Sequence, residues 1–118
     1  MKKIVFATAN PNKLKEVKCS INSFEIVGLK DLDIKEEIPE TGDTLKMNSL
    51  EKAKYVYEKT GLNCFSDDTG LEIEALNMRP GVHSAMYAGP SCNAEDNIQK
   101  VLQELGGSTN RKAQFKTV

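Results

Sequence analysis

The chain has 118 residues, 39% hydrophobic and 28% charged, a size and balance that suit one ordinary globular domain with a modest core. Its formal net charge of −1 offers no basic excess for nucleic acid or a membrane surface, and no apolar run approaches bilayer-spanning length. The 3 cysteines, Cys19, Cys64 and Cys92, form no closely spaced metal-ligand pair and read as free thiols of a reducing cytoplasm, while a single histidine, His83, excludes any site that needs two.

In chain order, Lys3 to Ala7 is short, β-branched and aromatic, which predicts a buried strand rather than a signal peptide. Thr8-Ala9-Asn10 turns the chain. Asn10 is a good N-cap and Pro11 a good first residue for a helix that runs to about Ile21, with Leu14, Val17 and Ile21 on its apolar face. Phe24 to Leu29 reads as a second strand and Lys30 to Gly42 as a long loop, a length often associated with function. Thr41 or Asp43 caps a helix from Thr44 to Thr60, closed by Gly61. On it Leu45, Ser49, Ala53 and Val56 form one stripe and Met47, Leu50, Lys54 and Tyr57 another.

Asn63 to Asp67 and Leu71 to Leu76 read as third and fourth strands joined by a turn short enough for a hairpin. Pro80-Gly81 marks a turn, and Val82 to Cys92 is irregular. Asn93 caps a helix with Glu95 and Asp96 in its first turn and Ile98, Val101, Leu102 and Leu105 on its apolar face; Gly106-Gly107 ends it. Lys112 to Val118 reads as a last strand. Strands alternating with helices predict an α/β fold with a mixed sheet flanked by helices.

The chemistry concentrates in a few places. Asp67-Asp68-Thr69-Gly70 sets adjacent carboxylates at a strand tip, where α/β proteins build sites. Paired carboxylates share a proton or a cation, and a hard ion such as Mg²⁺ bridges carboxylates to substrate phosphates. The alternative is a solvated acidic turn. Thr8, Asn10 and Lys13 surround a helix N-terminus, which suits phosphate, although the absence of a glycine-rich loop excludes a Walker motif. Asn48 and Lys52, four apart, share a helix face behind Glu40, which suits a cation held by Glu40 and a phosphate chain met by Asn48 and Lys52. The bland reading of Lys52 is a lysine that snorkels to water. Arg79 to Tyr87 is a polar, aromatic-bearing loop with no mechanism of its own. No activated serine or cysteine nucleophile is evident. The set therefore fits metal-assisted phosphoanhydride hydrolysis better than acyl transfer.

These residues resemble the inosine triphosphate pyrophosphatase family. Phe6 to Asn10 with Lys13 is similar to its opening strand-loop-helix. Glu40-Thr41 with Asn48-Ser49 and Lys52-Ala53 is similar to its acid and NA-xx-KA helix. Ser66 to Leu71 is similar to its acid turn, Pro80 to Ala85 to its PG-x-x-SA loop, and Lys112 to Phe115 to the strand that follows. The resemblance implies a bent mixed sheet in two lobes, here truncated in the second, within one domain over residues 1–118. It implies Mg²⁺-dependent cleavage of a non-standard purine nucleoside triphosphate (ITP, dITP, XTP) between its α and β phosphates, in a cytoplasmic homodimer. Thr8, Asn10, Lys13, Asn48, Lys52 and Thr69 would meet substrate, Glu40, Asp67 and Asp68 would hold metal, and Asp68 would accept the proton of the attacking water. Met86 stands where the family has an arginine, and methionine makes no charged hydrogen bond. The family continues through an FGYD-like motif, a further lysine and a His-Arg pair that read the purine. The alternatives are a non-catalytic phosphate- and metal-binding fragment and a receiver-like phosphoacceptor, the latter disfavoured because the first strand ends without acids.

Overall fold

The computed structural model describes residues 1–118, which divide into two compact units: residues 1–42 with 46–67, and residues 43–45 with 68–118. In the first unit, β1 (Lys2–Phe6), β2 (Phe24–Val27) and β3 (Cys64–Phe65) form a parallel sheet in the order β2-β1-β3. Lys2 stands opposite Phe24 and Val5 opposite Val27 on one side of β1; Phe6 stands opposite Phe65 on the other. Parallel neighbours need crossovers. Helix α1 (Pro11–Ser20) supplies the first and α2 (Leu45–Thr60) the second. The core is Val5, Ala7, Val27, Leu29, Ile34 and Val56. Phe6 and Phe65 stack with ring centroids 4.7 Å apart, which fixes the end of β3 against β1.

The expected cap of α1 forms: the Asn10 carboxamide oxygen accepts the N–H groups of Asn12 and Lys13, with Pro11 next to it in the first turn. Lys30 to Gly42, expected as plain loop, contains a short 3₁₀ turn at Lys30–Leu32. The Asp31 carboxylate accepts the Gly28 N–H at 2.9 Å, and Ile34 is buried in the core, so the segment is anchored at its start.

Helix α2 departs from expectation on its inner face. Leu45 and Val56 are buried as the apolar stripe requires, but Asn48 and Lys52 are buried beside them, at 3% and 9% exposure. Lys52 therefore does not snorkel to water: its ammonium ends on Glu40, 2.9 Å away. Thr41 likewise turns its hydroxyl to the Glu51 carboxylate, to which it donates. The second stripe, Met47, Leu50 and Tyr57, faces outward and is more than half exposed.

In the second unit, β4 (Thr69–Ile73), β5 (Arg79–Gly81) and β6 (Ala113–Thr117) form an antiparallel sheet in the order β5-β4-β6, with α3 (Ala94–Leu105) between β5 and β6 in the chain. Asn93 caps α3 by accepting the Asp96 N–H, and Gly106 follows it at φ +48.

The expected hairpin between the third and fourth strands does not form. Strand β3 pairs in parallel with β1, whereas β4 pairs with β5 and β6. The Thr-Gly pair expected to turn the chain lies within β4, because a side chain on Gly70 would sit 2.5 Å from the Gly81 carbonyl oxygen. Parallel and antiparallel pairing are both present, as a mixed α/β fold requires, in separate three-stranded sheets. Pro80-Gly81 is likewise strand rather than turn. The reversal falls on Asn77 and Met78, both left-handed (φ 55 and 65), and asparagine tolerates that region better than most residues.

Candidate functional site

The first unit carries most of the expected site residues, on the loops that leave its parallel strands and on the helices that follow them. Thr8 follows β1 and is buried; its Oγ1 accepts the Asn10 N–H at 3.1 Å, which shapes the turn into α1. One turn into the helix, Lys13 reaches the end of β3, and its Nζ lies 2.7 Å from Asp67 Oδ2. Residues 54 positions apart in sequence thus form a lysine–carboxylate pair, with side chains 31% and 18% exposed. Lys52 and Glu40 form a second such pair at 2.9 Å. Partial burial removes competing water and strengthens a charged contact relative to one at the open surface.

Asp67 is held through its neighbour. Ser66 donates its hydroxyl to the Ser49 carbonyl and lies 3.0 Å from the Ser49 hydroxyl, which ties the end of β3 to α2 between Asn48 and Lys52. Neither serine was expected in the site, since an unremarkable Ser-x…Ser pair gives no sequence signal beyond its place beside the motif residues. Asn48, expected to meet substrate, spends its carboxamide oxygen on the Gly42 N–H at 2.7 Å. Glu51 accepts both the N–H and the hydroxyl of Thr41, at 2.5 and 2.7 Å, and these bonds hold its carboxyl below the usual range. Farther along α2, Glu36 contacts the Lys59 ammonium and accepts the Tyr55 hydroxyl at 2.9 Å. The Lys59 contact is the main cause that lowers its carboxyl to about 2.

The second unit carries Asp68 and Thr69. Asp68 pairs through its backbone with Val118 in both directions, at 2.9 and 3.0 Å, and its Oδ1 accepts the Thr69 N–H. Thr69 Oγ1 stands 2.9 Å from Thr117 Oγ1 across β4 and β6. In the loop after β5, Ser84 accepts the Leu71 N–H and donates to the Gly81 carbonyl, which locks β4 to β5. Met86 is exposed.

No group of three or more histidine, cysteine, aspartate or glutamate side chains stands together as a preformed metal cage. The donors still suit a hard cation, because Mg²⁺ takes one or two carboxylates and completes its shell with phosphate oxygens and water. The geometry therefore offers lysine ammonium groups and carboxylates in adjacent pairs, the two kinds of group that a metal-bound polyphosphate requires.

The family model described as "Ham1 family" matches residues 4–118. The chain belongs to the Ham1 family. It is 52% identical over 120 residues to a dITP/XTP pyrophosphatase of Porphyromonas gingivalis, covering 100% of this chain and 62% of that protein. It is 50% identical over 117 residues to a dITP/XTP pyrophosphatase of Flavobacterium johnsoniae, covering 98% of this chain and 61% of that protein. Among solved structures, a HAM1 protein from Coxiella burnetii matches with TM-score 0.91 and 36% identity over 100% of this chain and 61% of that one. The Staphylococcus aureus Ham1 protein matches with TM-score 0.89, also at 36% identity. The Ham1 assignment bears out the resemblance drawn from the motifs and the mixed α/β class. The chain spans about three-fifths of the length of these relatives. No helix is long and apolar enough to cross a membrane.

Proposed function

We propose that this Ham1 chain acts, as one catalytic domain, on non-standard purine nucleoside triphosphates such as ITP, dITP and XTP, hydrolysing them to the monophosphate and pyrophosphate. The observation that carries the reading is the Lys13–Asp67 pair, which joins the phosphate-suited turn after β1 to the acid turn after β3. Relatives at about half identity that are named dITP/XTP pyrophosphatases support the substrate class.

In this reading Thr8, Asn10, Lys13 and Lys52 bind and orient the phosphate chain, and Thr69 lies against it. Glu40, Asp67 and Asp68 would hold Mg²⁺, which would offset phosphate charge and polarise the phosphoanhydride. Asp68 takes a proton from the attacking water as the bond between the α and β phosphates breaks and pyrophosphate leaves. Asn48 and Ser66 orient the loops that carry Glu40 and Asp67. A cytoplasmic homodimer completes the reading, supported by the family resemblance.

The test is pyrophosphate release from ITP with MgCl₂, coupled to an inorganic pyrophosphatase and a phosphate assay. Turnover of ITP well above that of ATP is expected. No turnover of any purine triphosphate overturns the proposal, and sedimentation as a monomer at assay concentration removes the dimer from it.

A further inference from the structure

Residues 40 to 42 run back along α2 and are laced to it in order. The Gly42 N–H donates to Asn48 Oδ1 at 2.7 Å, the Thr41 N–H and hydroxyl donate to Glu51 at 2.5 and 2.7 Å, and Glu40 accepts from the Lys52 ammonium at 2.9 Å. Asn48, Glu51 and Lys52 stand at the i, i+3 and i+4 positions of one helix face, so a single rigid element meets three successive residues of the loop. The approach is close enough that a side chain on Gly42 would lie 2.6 Å from Met47 Cβ and 2.9 Å from Asn48 Oδ1. Without the middle attachment, Glu40 would be held by its own ion pair and, two residues on, by the Gly42–Asn48 bond; its side chain is about half exposed, and ion pairs so exposed hold geometry weakly.

We propose that Glu51 is a positioning residue: by bridging the backbone and hydroxyl of Thr41 it fixes the Glu40 carboxylate on Lys52 in the geometry that the metal–phosphate site uses. The site assignment of Glu40 rests on the pyrophosphatase reading; the lacing itself does not. A carboxylate is suited to the task because both its oxygens accept, one from the amide and one from the hydroxyl. A glutamine can replace it, accepting from the amide through its oxygen and donating to the hydroxyl through its nitrogen, whereas alanine removes both bonds.

The experiment compares the whole chain with its Glu51→Ala and Glu51→Gln variants. Amide hydrogen exchange at Thr41 and Gly42 and the ¹³C shift of the Glu40 carboxyl are read by NMR, and the half-activating Mg²⁺ concentration is read in the ITP assay. Glu51→Ala is expected to deprotect both amides, to move the Glu40 carboxyl toward the value of a free glutamate, and to raise the half-activating Mg²⁺ concentration roughly tenfold, the usual scale for residues that support metal ligands. Glu51→Gln is expected to restore all three to near wild type. Unchanged exchange and Glu40 shift in Glu51→Ala overturn the inference, as does a Glu51→Gln variant as impaired as Glu51→Ala. Failure of the pyrophosphatase reading appears differently, as a wild type without turnover, and leaves the two NMR readings to decide.

Discussion

Lys13 and Lys52 are the two lysines of the candidate site, and each ends on a carboxylate. Lys13 sits at the start of α1 and meets Asp67 across the unit. Lys13→Ala is expected to raise the KM for ITP roughly tenfold or more, on the scale of one charge-assisted hydrogen bond, with a smaller effect on kcat. An unchanged KM in steady-state assays removes Lys13 from the substrate contacts. Asp68→Asn keeps size and shape and is expected to lower kcat by about 10²–10⁴, the contribution of a general base, with little change in the melting temperature. Near-normal turnover of that variant places the proton acceptor elsewhere. The charged members of the candidate site stood out as types in motifs: an acid pair at a strand tip, a lysine one turn past a capped helix start. Glu51 did not, because its partner lies ten residues back in a loop, and no spacing rule links a loop residue to a helix that folds back over it. The local task of Asn48, accepting the Gly42 N–H, was not legible, since an amide that faces inward can serve a ligand or a loop equally well.

The elements were read well where a local rule governs them and poorly where pairing does. Both capped helices, α1 and α3, begin where asparagine predicts, since a cap is decided by a few neighbouring atoms. The fate of the acid turn depended on non-local choices: Phe65 stacks on Phe6 and keeps β3 beside β1, while Gly70 fits only against the Gly81 backbone and keeps β4 beside β5. A hairpin rule has no access to either contact. Gly70→Ala is therefore expected to destabilise the second unit by about 1–3 kcal/mol, because its methyl group meets backbone that cannot rotate away. A melting temperature equal to wild type counts against so tight an approach. Val56, fully buried under the parallel sheet, is the corresponding probe of the first unit. Val56→Ala is expected to cost about 2 kcal/mol in a denaturant titration, the transfer free energy of the lost methyl groups plus a small cavity.

At the scale of the whole chain, composition left no helix long and apolar enough to cross a membrane, and the alternation of elements gave α/β. The split into a parallel and an antiparallel unit was not visible, because the sequence between β3 and β4 carries no linker composition: the boundary falls between two aspartates. One pH dependence follows from the contact of Glu36 with Lys59. Glu36 is lowered from an ordinary 4.5 to about 2, chiefly by Lys59, and Lys59 is raised by Glu36. A lowered carboxyl stabilises the fold above its unfolded value and loses that contribution as pH falls through the folded value. The tie between the loop and the end of α2 is thus intact above pH 4.5 and lost toward pH 2. The difference in urea midpoint between wild type and Glu36→Gln is expected to be present at neutral pH and to close across that interval. A gap that persists at the acid end contradicts the assignment.

Under the proposed reading, the two lysine–carboxylate pairs would make the site an ion exchanger. Each pair is neutral by itself, so triphosphate or a divalent cation arriving alone would have to take one member of a pair and leave the other uncompensated. Only the two together can swap partners with both pairs at once, leaving every charge compensated. Affinity for either must then rise in the presence of the other, and by the same factor in both directions, since linkage is reciprocal. On that reading the two pairs would favour polyphosphate and its counterion bound together over either bound alone.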